Sequence, residues 1–224
     1  NTNKQIPGKS DKWINILGKK TTKPNSHHIF KISKKLVFTH IRLNIFPDGG
    51  VARLRVYGTM KLKKNFKKRK INLMSLLDGA VPIACNNEHF GRAENVLAPG
   101  KGINMGDGWE TRRSRGKNFD WLILKCATSG VIEKLQIDTH HFKGNYPDKC
   151  SVQAGYLNIN SSPKNIVKKS KSWKFLLGKS KLKAHKEHNF KISKNNKRVV
   201  NYIRINIFPD GGISRLRAFG TVKT

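Results

Sequence analysis

The chain has 224 residues and no run of about 18 consecutive apolar ones, so a membrane-spanning helix is excluded. Its opening stretch, NTNKQIPGKSDKW, has no apolar h-region, and no signal peptide is expected. Cysteine is scarce. Cys85, Cys126 and Cys150 are odd in number, widely spaced and free of any C-x-x-C. That excludes a zinc knuckle and a disulfide framework, and points to reduced thiols and a cytoplasmic location. G-x-S-x-G, P-loop, G-x-G-x-x-G and H-E-x-x-H motifs are all missing, which removes the warrant for serine hydrolases, P-loop NTPases, dinucleotide enzymes and zincins.

Acidic residues are few, 13 against 46 Lys+Arg, for a formal charge of +33. Such a balance suggests a polyanion partner, but its distribution argues otherwise. Residues 71–160 hold ten basic and nine acidic residues, so the surplus lies in Lys/Asn-rich flanks such as KLKKNFKKRK (61–70). Few aromatics interleave with these runs, so no base-stacking platform is expected. The expectation is a solvated basic surface without a nucleic-acid partner. Polyanion binding through 61–70 and 163–197 is kept as a lesser alternative.

What the chain does contain is a repeat. Trp13…Leu17-Gly18-Lys19 recurs as Trp173…Leu177-Gly178-Lys179, FKISK at 30–34 recurs at 190–194, and His28 matches His188. Residues 41–61 match 203–223 at fifteen of 21 positions. The alignment predicts the C-terminal part of one copy at 1–61, a basic linker at 62–70 and a whole copy at 71–224. The first copy is expected to be N-terminally incomplete, because 71–160 has no counterpart.

Local patterns read as β. Residues 41–46 and 51–57 alternate with period two on either side of Pro-Asp-Gly-Gly, a turn in which Asp48 and Asp210 would serve as caps. FDWLILKCA (119–127) and VIEKLQIDTHHF (131–142) are two further expected strands, parted by Thr-Ser-Gly. With no long amphipathic helix, each copy is expected to be an all-β antiparallel sandwich or jelly roll, with the loop-rich 71–110 wrapping one end.

Three groups of residues could carry chemistry. The hairpin places Arg42, Arg53 and Arg55, and again Arg204, Arg215 and Arg217, on one expected face, suited to two-pronged capture of a carboxylate. The loop MGDGWETRRSR crowds Asp107, Glu110, Arg112, Arg113 and Arg115 around Trp109. In QIDTHHFKGNYPD, strand alternation would send Asp138 and His140 to one face and Thr139 and His141 to the other. A carboxylate beside an imidazole suits acid/base work, and equally suits one metal ion.

HFGRAENVLAPGKG, DGWETRRSR, IDTHHFKGN and the doubled PDGG(V/I)(A/S)RLR resemble the allantoicase family, over essentially the whole chain. The resemblance implies two repeats of a jelly roll related to galactose-binding-like sandwiches. It also implies hydrolysis of allantoate to ureidoglycolate and urea, a homo-oligomer, and no cofactor, a divalent metal not being indicated. On that basis Arg112, Arg113, Arg215 and Arg217, with Asp107, Trp109 and Asn145, would bind the substrate. Glu110, Asp138 and His140 would form the acid/base set. The site is expected within the second copy, the other arrangement being one shared with Arg53 and Arg55. A non-catalytic ligand-binding jelly roll is the alternative function.

Overall fold

The computed structural model describes residues 13–34, 36–58, 70–114, 118–158 and 161–223. The chain divides into two units, Asn1–Val56 and Tyr57–Thr224. Most of the expected linker 62–70, and Arg115, lie outside the described residues.

Among the described residues of the second unit, ten strands and one eight-residue helix follow in order. The strands are β1 (Lys70–Asn72), β2 (Val81–Cys85), β3 (Trp109–Glu110), β4 (Asp120–Asp138), β5 (Lys149–Gly155), β6 (Lys174–Lys181), β7 (Glu187–Lys191), β8 (Val199–Phe208), β9 (Gly212–Ile213) and β10 (Arg215–Val222). The helix α1 is Pro163–Ser170, capped by the Ser162 hydroxyl with Pro at its start. Among the described residues no helix is long and apolar enough to cross a membrane.

The two strands expected at 119–127 and 131–142 are one, β4, which ends at Asp138. Its register against β8 shifts between Lys125 and Gly130. Before that irregularity it pairs with β2 and β8, and after it mainly with β10 and β7. The Thr-Ser-Gly stretch therefore bends the strand instead of ending it, and β4 serves both layers of a jelly-roll sandwich. Ile203, Ile205 and Ile207 of β8 enter the same core as Leu135 and Ile137 of β4 and Leu216 and Ala218 of β10. The opposite face of β8 is covered by a second cluster in which Ile166 of α1, Trp173, Ile123 and Tyr202 meet.

The first unit departs from expectation. Among its described residues no strand forms, although 41–46 and 51–57 have the strand pattern. Ile41, Leu43 and Ile45 are 40, 49 and 44 % exposed, while Ile203, Ile205 and Ile207 are at most 1 % exposed. The reason is pairing. In the second unit β8 is flanked by β4 and β5, whose residues have no counterpart in 13–56. Local geometry persists without them. Lys19 sits 4.5 Å over Phe46 as Lys179 does over Phe208. Gly49 and Gly211 share φ near 130°.

Candidate functional site

The site lies where four segments meet at the loops of the second unit. Residues 96–107 form a loop with little regular structure of its own, and two arginines of β10 hold it. Arg217 donates through Nη1 to the Val96 carbonyl (2.9 Å) and through Nη2 to those of Ala98 and Gly100 (3.0 Å for the latter). Arg215 donates from Nη2 to the Asp107 carboxylate at 2.6 Å and to the Lys101 carbonyl at 3.3 Å, and from Nη1 to the Asp107 carbonyl. Burial raises the proton affinity of Asp107. The bonds from Arg215 and from the Ile103 amide, with the nearby charges, outweigh it and hold the carboxyl below its ordinary value.

The second segment is the 210–213 turn, where β9 pairs with β3 so that Glu110 lies opposite Gly212. Gly211 has φ 131°, and a Cβ there would meet the Asn145 carbonyl at 2.6 Å, so glycine is required on both counts. Asp210 does not cap its own turn. It accepts the Ser114 amide at 2.6 Å, tying the turn to the strand-like run after Glu110.

The third and fourth segments are the turn after β4 and the 183–186 turn that braces it. Between residues 141–145 and Asn104–Met105 lies an open cleft of about 450 Å³, lined by Asn104, Met105, His141, Lys143, Gly144 and Asn145. Asn145 donates from Nδ2 to Glu110, placing that carboxylate directly behind the cleft wall. His141 Nε2 lies 2.9 Å from the Gly102 carbonyl, which can only accept, so Nε2 carries the proton and a neutral ring keeps its Nδ1 lone pair free.

Of the residues expected from sequence, Asn145 lines this cleft, Glu110 accepts from its side chain, and Arg215 and Asp107 pair at the 96–107 loop. Trp109 is fully buried in the core, its indole donating to the Asn87 carbonyl at 2.8 Å, so it does not reach the cleft. Arg112 and Arg113 are exposed. Arg112 reaches toward His89 Nδ1 at 3.4 Å, while Arg113 makes no hydrogen bond or ion pair among the described residues. Asp138 is buried and accepts the His140 amide at 2.9 Å, and His140 packs on His185 at 4.0 Å between ring centroids. Neither Asp138 nor His140 lines the cleft.

The three arginines expected on one face are divided. Arg215 and Arg217 belong to β10, but Arg204 leaves the outer face of the other layer. There it stacks over Trp121 at 4.6 Å and donates to Asn206 and Ser170, each at 2.9 Å. His141, Lys143, Asn104 and Met105 are cleft residues that the sequence did not single out. His141 and Lys143 stand inside the quoted HHFKGN; the strand ends at Asp138, so His141 lines the cleft while His140 Nδ1 stays 3.8 Å from the Asp138 carboxylate. Among the described residues no group of three or more His, Cys, Asp or Glu is placed to hold a metal ion.

The second unit is a jelly-roll sandwich with an open cleft between residues 141–145 and Asn104–Met105. A fucolectin from striped bass matches with a TM-score of 0.52 over 68 % of this chain and 49 % of its own, at 10 % identity, a likeness of fold alone. The family model described as Allantoicase repeat matches residues 1–61 and 71–223. A probable allantoicase of Burkholderia mallei is 46 % identical over 96 % of this chain and 64 % of its own length. One from Photobacterium profundum is 44 % identical over 96 % and 65 %. The crystal structure of the Saccharomyces cerevisiae allantoicase matches with a TM-score of 0.58 and 37 % identity, covering 67 % of this chain and 43 % of that one. The chain belongs to the allantoicase family. It spans about two thirds of the length of the curated relatives it matches.

Proposed function

We propose that this chain hydrolyses allantoate to ureidoglycolate and urea at the 141–145 cleft, as a cytoplasmic homo-oligomer and without a cofactor. The observation that carries this reading is the Glu110–Asn145 hydrogen bond at the cleft wall, in a chain 46 % identical to a probable allantoicase. In the reaction one C–N bond at the central carbon breaks. Water supplies the hydroxyl that replaces it and the proton that leaves with urea. Glu110, held by the Asn145 side chain at the cleft wall, is the acid/base group and exchanges its proton with the attacking water, and His141 offers Nδ1 as a second proton acceptor. The carboxylate of allantoate is met by the ammonium of Lys143, since the Arg215 and Arg217 forks are engaged with the 96–107 loop. Arg112 and Arg113 lie near enough in sequence to Glu110 to steer the anion inward.

The test is release of urea from allantoate by the folded chain, with ureidoglycolate formed in equal amount. Binding of allantoate without turnover would favour the non-catalytic ligand-binding jelly roll. Failure to bind it would overturn the reading.

A further inference from the structure

We propose that His185 is a positioning residue for this cleft: by accepting the His141 amide on Nδ1, it holds the left-handed turn that aims the His141 ring between the two cleft walls. The inference rests on the cleft being the reaction site.

His141 and His185 are the two non-glycine residues with positive φ in the described part of the second unit, at 70° and 48°. L-residues avoid this region because Cβ crowds the backbone, so each needs outside support. They support one another. The His141 amide donates to His185 Nδ1 at 2.9 Å, and the His185 amide donates to the Phe142 carbonyl at 3.0 Å. Thr139 adds further links: its amide donates to the Lys186 carbonyl at 3.0 Å, and its hydroxyl donates to the carbonyls of Lys183 at 2.6 Å and Lys186 at 3.0 Å and accepts the Lys186 amide at 3.1 Å. The His140 ring packs on the His185 ring at 4.0 Å between centroids.

The consequence reaches the chemistry. His141 belongs to one wall of the cleft, and its Nε2 proton goes to Gly102 on the loop that forms the other. Without the His185 acceptor, the 141 amide loses its partner, the turn can relax toward negative φ, and the His141 ring leaves the bridging position.

Two variants separate the acceptor from the backbone preference. His185→Gly accepts positive φ without strain but has no acceptor. His185→Asn tolerates positive φ and presents an oxygen close to where Nδ1 stood. Urea release is measured across allantoate concentrations, and exchange of the His141 amide is followed by NMR in the full chain. The expected result for Gly is a kcat lowered about tenfold with little change in KM, and a deprotected His141 amide. For Asn, both quantities stay near wild type. A Gly variant with unchanged kcat, or with the His141 amide still protected, overturns the proposal. If the wild-type chain releases no urea, the functional reading fails, and the amide comparison alone decides whether His185 holds the turn.

Discussion

Arg215 and Asp107 lie 2.6 Å apart across 108 residues of sequence, and Arg215 is all but buried. The pair joins a core strand to the loop that makes one wall of the cleft. A lysine at 215 keeps the charge but not the fork that reaches the Asp107 carboxylate and the carbonyls of Asp107, Ser214 and Lys101. Arg215→Lys is expected to lower stability by about 2 kcal/mol, read from guanidinium chloride unfolding. An unchanged midpoint would show that the loop does not depend on the fork.

The same pair sets a pH response. The folded-state value of Asp107 is depressed, so its contribution is fully present above the ordinary carboxylate value of about 4 and is lost as the pH falls through the lower folded value. The unfolding midpoint of the wild type should therefore drop below about pH 4. Asp107→Asn should be less stable at neutral pH and lose less on acidification. Parallel curves for the two proteins would contradict the assignment.

Glu110→Gln keeps the shape of the side chain that Asn145 contacts and removes its ability to exchange a proton. Urea release is expected to fall at least about 100-fold, with an unaltered circular dichroism spectrum. Turnover close to wild type would remove Glu110 from the chemistry.

Gly212 stands against the ring of Phe142, which is fully buried. A Cβ at 212 would lie 2.0 Å from Phe142 Cε1 and 2.1 Å from Cδ1. Gly212→Ala should cost about 2–3 kcal/mol, since either β9 or the turn that carries His141 must shift. Full stability in thermal unfolding would mean that the ring moves freely.

Every cleft residue lies in the second unit. Arg53→Ala combined with Arg55→Ala should leave urea release near normal. Its loss in a folded double variant would place the first-copy arginines in the reaction.

The repeat, the β character of the second hairpin and the family were legible from local residues alone. Alternation and Pro-Asp-Gly-Gly are short-range signals, and fifteen of 21 matching positions need no third dimension to be seen. The loop that supplies Asp107 and Glu110 and the turn that supplies Asn145 were also marked by their composition. Tertiary structure decided which side chains actually meet. Alternation assigns a face only while the chain remains a strand, and β4 stops at Asp138, so His141, at φ 70°, turns into the cleft while His140 stays beside Asp138. A guanidinium takes whatever acceptors the fold brings to it. Arg217 found carbonyls 117 to 121 residues away, while Arg204, of the same repeat motif, was carried to the opposite layer. Residues 41–46 and 51–57 carry the strand pattern but form no ladder among the described residues, because a strand exists through the neighbour that pairs with it.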